Sequence, residues 1–331
     1  MKNKAFPTSG KVKWGYGLNH WKTSFQGFAR KEQHLRAFKV NAACGFRAVE
    51  MVAGSGPWEP LGRPEAIAHY YGSARDFFKV MNDCGIERII SVVYDPAAMS
   101  FEEGHFGLAP TNPDDHDALL HRCTIHADFL AEVGGELLIV YPVPAFWKCG
   151  ALDDGQIRSA ADCWNAVGAM AAERGLRLAF HIDALSALRT ADEIAHLLEL
   201  CDVATVGLAI DTAELTIARH DVVALYRRFA PRVWHFQFKD ALAVDELDEY
   251  RLPHADRAMM LAGGAREVPR WFGELGSGRV DFAALMQAIK ERGFEGWIIV
   301  ESDKGPEPVA GTMMSNSWYV QNVLLGGEAR A

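Results

Sequence analysis

Apolar and polar residues alternate most sharply in the stretch Val233–Asp240, where strand geometry sends His235, Gln237 and Lys239 to one face and Trp234, Phe236 and Phe238 to the other. The pattern recurs. His181 and Asp183 share a face with Ala179, opposite Phe180 and Ile182; Asp211 shares one with Gly207 and Ala209; Glu301 and Asp303 share one with Ile299. Apolar runs of this kind alternate with amphipathic stretches from end to end, the signature of a parallel sheet covered by helices. Eight strands are predicted, at 12–18, 46–51, 88–94, 136–141, 176–182, 205–210, 233–238 and 296–301, each followed by a helix. Gly45, Gly85, Gly134, Gly175 and Gly293 stand just before strands, where a glycine closes the preceding helix in a left-handed conformation. Leu35, Phe38 and Ala42, and again Ile194, Leu197, Leu198 and Cys201, keep the spacing of one helix face. Asn112-Pro113-Asp114-Asp115 reads as a helix start, with a cap, a first-turn proline and acids at the positive end of the dipole.

Eight βα units with polar residues at the strand C-termini predict a single (β/α)₈ TIM barrel over 1–331. Long loops at 52–64, 95–111 and 240–280 all follow predicted strands, where a barrel builds its active-site face. A doubly wound open sheet is the alternative, but Gly15-Tyr16-Gly17-Leu18-Asn19-His20 lacks the third glycine of its phosphate-binding turn.

Composition narrows the function classes. The 331 residues, 49% of them hydrophobic, suffice for a large core. A net charge of −9 without a basic cluster disfavours nucleic acid as a partner. The six cysteines are scattered without a CxxC pair and read as reduced thiols, which points to the cytoplasm. Neither a leader after Lys2–Pro7 nor a run of about 18 apolar residues is evident, so export and membrane insertion are not expected.

In a closed barrel, His181, Asp211, Gln237 and Glu301 converge from four successive strands near the top of the axis. Such an N/O donor set reads as a divalent metal site, leaning to Mn²⁺ with Mg²⁺, Co²⁺, Fe²⁺ or Zn²⁺ as alternatives, because a cation offsets the repulsion of clustered acids. Taken singly, a strand-end Asp or His is more often a loop cap or a hydrogen-bonded rim residue; the four together reverse that balance. His235, Lys239, Asp183 and Glu214 are candidates for proton transfer, with Asp240 and Asp303 beside them; salt bridging or support of the ligands accounts for each equally well. His20, Trp21, Glu50, Tyr141 and Trp147 are candidates for the substrate-binding mouth, the aromatics suiting a sugar ring or an aryl group and packing being their ordinary alternative. No GxSxG, P-loop or HExxH occurs, so serine hydrolase, nucleotide hydrolase and zincin readings lack support.

Taken in order, the runs Gly45–Glu50, Gly207–Thr212, His235–Asp240, Gly276–Phe282 and Gly293–Glu301 resemble the xylose-isomerase-like sugar isomerase/epimerase superfamily nearly end to end. The resemblance implies a metal-dependent barrel in which the acids matching Asp211 and Glu301 bind the metal and Gln237 takes a position that is histidine or glutamine. Within it, the chain is similar to inosose dehydratases and the alpha subunits of C-glycoside deglycosidases, through Gly296-Trp297, Glu301–Pro306 and a histidine at His181 where isomerases carry glutamate. Asp183, Thr212-Ala213-Glu214 and Gln237 depart from the dehydratase pattern. The expectation is a lyase that eliminates next to a ketone of a keto-sugar or keto-cyclitol, a 3-keto C-glycoside or an inosose, through an enediolate stabilised by the cation. A keto-sugar epimerase or isomerase and a non-catalytic sugar-binding or partner-supporting barrel are the alternatives. An oligomer, with a small second subunit suggested by the deglycosidase likeness, is also expected.

Overall fold

The computed structural model describes the whole chain except residues 1–4, 9, 22–30, 54–61, 98–106, 256–267, 304–307 and 327–331. Parts of the three long loops, and Lys304-Gly305-Pro306 of the dehydratase-like stretch, therefore lie outside the described residues. Eight strands form a closed parallel barrel: β1 (Val12–Gly17), β2 (Ala48–Ala53), β3 (Arg88–Tyr94), β4 (Leu137–Val140), β5 (Arg177–His181), β6 (Val206–Asp211), β7 (Val233–Phe238) and β8 (Gly296–Val300). Each pairs with its sequence neighbours, and β1 closes on β8 with Trp14 opposite Ile298. All eight coincide with the predicted runs to within a few residues.

The glycine punctuation holds: Gly45, Gly85, Gly134, Gly175 and Gly293 all have positive φ, from 63° to 94°. The helix starts are chemically explicit. Asp153 with Gln156, and Thr190 with Glu193, form capping boxes at the heads of Asp154–Ala172 and Ala191–Leu200. Asn112 accepts a hydrogen bond from the Asp114 amide at the start of the predicted helix, whose first turn is 3₁₀.

The main core lies between strands and helices, where Trp164, Phe180, Phe236, Phe238 and Phe282 are fully buried; burying a Phe contributes about 1.5–3 kcal/mol. Inside the barrel, smaller clusters fill the floor, Ala48, Ile90, Trp297 and Ile299 forming one. The expected alternation fails at one residue. Leu208 pairs with Val233 but Ala209 with His235, so Trp234 is an extra, bulged residue. It leaves the face of Phe236 and Phe238 and packs instead against the cluster of Leu137, Ile139, Ala179 and Ala209, where the Cβ that Gly207 lacks would come within 2.5 Å of its ring. His235 and Gln237 keep their inward direction because the bulge precedes them.

Above the barrel, Asp240–Ala241 pairs antiparallel with Phe272–Gly273 and ties down the segment after β7. Asp240 accepts backbone N–H bonds from Ala241, Gly276, Gly278 and Val280, at 2.8–3.2 Å. Asp240 thereby anchors the turn from Gly276 to Val280 against the end of β7. Ala184, Leu185, Ala213, Ile217, Tyr250, Trp271 and Phe272 form an apolar roof over this side. The buried ion pair Arg189–Asp245, at 2.9 Å, holds it, with the Arg189 guanidinium 3.8 Å above the Tyr250 ring. The cysteines are all free, and among the described residues no helix is long and apolar enough to cross a membrane.

Candidate active site

The strand ends gather charge at the top of the barrel. Asp211 ends β6, and its Oδ1 caps the next helix by accepting from the Ala213 and Glu214 amides, both at 2.9 Å. That turn brings Glu214 back over the site, where its Oε2 accepts from the Ala184 amide at 3.0 Å. The Thr212 hydroxyl donates to the Lys239 carbonyl at 2.6 Å and accepts from its amide at 3.0 Å, fixing the exit from β7. Lys239 Nζ then lies 2.8 Å from Glu214, 3.1 Å from Asp211, 3.2 Å from Asp303 and 3.3 Å from Glu301. One ammonium faces four carboxylates, and Phe272 covers it with its ring centroid at 4.5 Å.

Burial opposes the Lys239 charge, yet Asp211, Asp303, Glu214 and Glu301 hold its pKa well above the ordinary value. The acids are less well compensated. Burial pushes Asp211 up to about 7 and Glu301 to about 8, with Lys239 pulling both down only partly. Asp183, half-buried beside Glu214 and Asp95, is likewise pushed up to about 8, by burial first and the neighbouring charges second.

Beneath this cluster lies a hydrogen-bonded stack. Glu50 is fully buried; its Oε2 accepts from Ser91 Oγ at 2.6 Å and His235 Nε2 at 2.8 Å, and its Oε1 from Gln237 Nε2 at 2.6 Å. Burial alone would raise its pKa, but His235, Ser91 and Gln237 together lower it. Gln237 Oε1 faces His181 Nδ1 at 2.7 Å. Burial, the largest influence, lowers the His181 pKa below the ordinary imidazole value. The mouth candidates divide accordingly. Tyr141 packs against His181 with ring centroids 4.6 Å apart and planes tilted by 43°, and burial raises its phenol pKa. Trp147 lies at the roof, 5.5 Å from the His254 ring. Glu50 and His235 are enclosed below the mouth. His20 is buried, with Nδ1 3.5 Å from the Tyr16 hydroxyl, and Trp21 packs against the main core.

Among the described residues, no group of three or more His, Cys, Asp or Glu stands as a ready metal cage. The donor chemistry nevertheless fits a divalent cation. His181 Nε2 is buried without a hydrogen-bond partner among the described residues, and four acids, Asp211 through its Oδ2 at 3.1 Å, share one ammonium. Gln237, the fourth member of the expected ligand set, has its amide oxygen 2.7 Å from His181 Nδ1.

The sequence profile of a family described as xylose isomerase-like TIM barrel matches residues 38–318. The chain belongs to this family. Over 195 residues it is 30% identical to the inosose dehydratase of Lacticaseibacillus casei, spanning 55% of this chain and 62% of that protein. The inosose dehydratase of Clostridium beijerinckii is 27% identical over 191 residues, with the same shares. Both matches thus cover less than two thirds of the relative. Among solved structures, a D-allulose 3-epimerase from Methylomonas sp. superposes with a TM-score of 0.68 at 15% identity, covering 96% of this chain and 99% of that one. A probable 3-DHS dehydratase of Bacillus anthracis does so at 0.66 and 14%, covering 94% and 99%. At such identities the likeness is one of fold.

Two members of this xylose isomerase-like site escaped the sequence reading. Asn19 Nδ2 donates to Glu301 Oε1 at 2.9 Å, and Gly17 leaves room for that pair, since a Cβ there would lie 3.0 Å from Asn19 Oδ1. Ser91 holds Glu50; a lone hydroxyl in the apolar run Ile89-Ile90-Ser91-Val92-Val93 was the available signal.

Proposed function

We propose that this barrel is a carbohydrate lyase that removes the proton beside a ketone of a keto-sugar or keto-cyclitol and expels a leaving group from the next carbon. The observation that carries the reading is the place of the Asp183 carboxyl, partly buried just past the end of β5 and beside the acid-rich cluster, where burial pushes it up to about 8. A group in that range can take a carbon-bound proton and hold it at neutral pH. Asp183 accepts the proton, the C–H electrons form the carbon–carbon double bond as the bond to the group on the next carbon breaks, and the same carboxyl returns the proton to the atom that departs. For an inosose a C–O bond breaks, the proton goes to the leaving oxygen, and the products are an enone and water; for a 3-keto C-glycoside the C–C bond to the aglycone breaks, the proton goes to the aglycone carbon, and the products are an enone and the free aglycone. Lys239 balances the surrounding acids, and Tyr141 and Trp147 offer ring faces for the substrate. A divalent cation, Mn²⁺ being the best match to a mixed N/O set, would be held by His181, Asp211 and Glu301 and would supply when bound a Lewis acid for the ketone.

Incubation of the Mn²⁺-loaded protein in D₂O with an inosose, and separately with a 3-keto C-glucoside, followed by proton NMR, tests this. Appearance of an enone or free aglycone supports the lyase. Deuterium entering the substrate without elimination replaces it with an epimerase or isomerase.

A further inference from the structure

Polar side chains stacked inside a barrel need donors matched to acceptors, and here the matching has only one solution. We propose that Glu50, acting through the Gln237 amide, sets the tautomer of His181, so that Nδ1 keeps its hydrogen and Nε2 presents a lone pair to the site. Glu50 and Gln237 are then positioning residues. The inference deepens the proposed function in one respect, the role of His181 as a lone-pair donor.

The argument starts at the carboxylate. Both Glu50 oxygens accept: Oε2 from Ser91 and His235, and Oε1 from Gln237, all within 2.6–2.8 Å. A flipped Gln237 amide would set its oxygen 2.6 Å from Glu50 Oε1, two acceptors in contact inside a fully buried site. The NH₂ must therefore face Glu50. That leaves Gln237 Oε1, an acceptor only, 2.7 Å from His181 Nδ1, which must donate. Nε2 is buried without a partner among the described residues, so a hydrogen there would have no acceptor; the arrangement is satisfied with the N–H at Nδ1 and Nε2 bare. The opposite tautomer would bring two lone pairs together at Nδ1 and leave a buried N–H without an acceptor at Nε2. The acid in β2 thus specifies a nitrogen in β5 by way of β7.

Long-range ¹H–¹⁵N correlation spectra of metal-free, ¹⁵N-histidine-labelled protein read the tautomer directly, with His181→Gln assigning the signals. Histidine in water prefers the Nε2–H form, so the expected result is distinctive: a pyrrole-type Nδ1 and a pyridine-type Nε2 in the natural protein. Glu50→Gln frees the Gln237 amide to turn, and Gln237→Met removes the acceptor; each should change the His181 tautomer ratio at least tenfold. Gln237→Met leaves the charge unchanged and serves alone if Glu50→Gln does not fold. An Nε2–H tautomer in the natural protein, or an unchanged Nδ1–H tautomer in Gln237→Met, overturns the proposal. Failure of the D₂O incubations with the tautomer intact would overturn the lyase and leave this relay standing.

Discussion

Replacing Lys239 by Met removes the one ammonium in contact with Asp211, Glu214, Glu301 and Asp303 while keeping most of the side-chain volume. Each contact, at 2.8–3.3 Å, is worth about 5 kcal/mol in Coulomb energy at an effective dielectric of about 20. Much of that is cancelled by the cost of burying the ammonium, and removing one partner of a buried ionic group costs about 3–5 kcal/mol net. With an unfolding entropy of about 2.1 cal/mol/K per residue, the 331-residue chain should lose about 4–7 °C in Tm. The loss must depend on pH. Asp211 and Glu301 have folded-state values raised to about 7 and 8, above their unfolded values of about 4. The folded state therefore holds their protons more tightly, and the stability they contribute is complete below about pH 4 and is lost as pH rises through 7 and 8. Without Lys239 these values rise further, so the variant's deficit should be largest near pH 8.5 and shrink toward pH 5.5. Calorimetry of chelator-treated protein at both pH values measures it. A deficit below about 1 kcal/mol at pH 8.5, less than expected even for a weak buried pair, or one equal at both pH values, refutes the reasoning. Saturating Mn²⁺ should narrow the gap, a divalent ion supplying the charge that was removed.

Other consequences are open to direct measurement. Asp183→Asn should lower kcat/KM at least a hundredfold on the turned-over substrate and abolish a limb that rises through about pH 8; an unchanged profile would assign proton transfer elsewhere. Glu301→Gln should remove Mn²⁺ binding, read by calorimetric titration, together with activity; retention of both defeats the ligand assignment. Asp240→Ala strands four backbone donors and should cost about 3 kcal/mol, with faster hydrogen exchange at the Gly276, Gly278 and Val280 amides. Gly278→Ala should loosen the same turn, because the added Cβ would fall 2.4 Å from both the Ala241 carbonyl and Asp240 Oδ1; exchange as slow as in the natural protein would contradict that packing.

Five of the eight strands, β2, β3, β4, β5 and β8, were legible because each combines an apolar run with a glycine whose positive φ ends the preceding helix, two local signals in agreement; β1, β6 and β7 were legible from the apolar run alone. The acids and histidine of the upper cluster were legible for a similar reason: strand alternation gives direction, and strand ends give height. What the chain could not disclose was pairing between distant strands. Glu50 read as a mouth residue, but the β2–β3 register shifts between Val49 and Glu50, setting Glu50 beside Ser91, and closure brings His235 and Gln237 to it from 185 and 187 residues away. Trp234 was misdirected because a bulge inserts one residue without a glycine to mark it. Lys239 read as a proton carrier among acids; its reach to Glu214 and Asp303 as well depends on the turn that Asp211 caps.

The roof has a consequence for how this barrel can change. Its apolar residues come from the segments after β5, β6 and β7, and Phe272 rests directly on the Lys239 ammonium. No one of these segments is an independent module. Exchanging the segment after β7 for that of another barrel would uncover Leu185 and Ile217, release the Arg189 ion pair and admit water to the ammonium in a single step. New specificity is therefore more readily reached by substitutions within the existing roof than by grafting, and a library that varies Tyr250, Trp271 and Phe272 jointly with Leu185 and Ile217 would sample folded variants where a single-loop library would not.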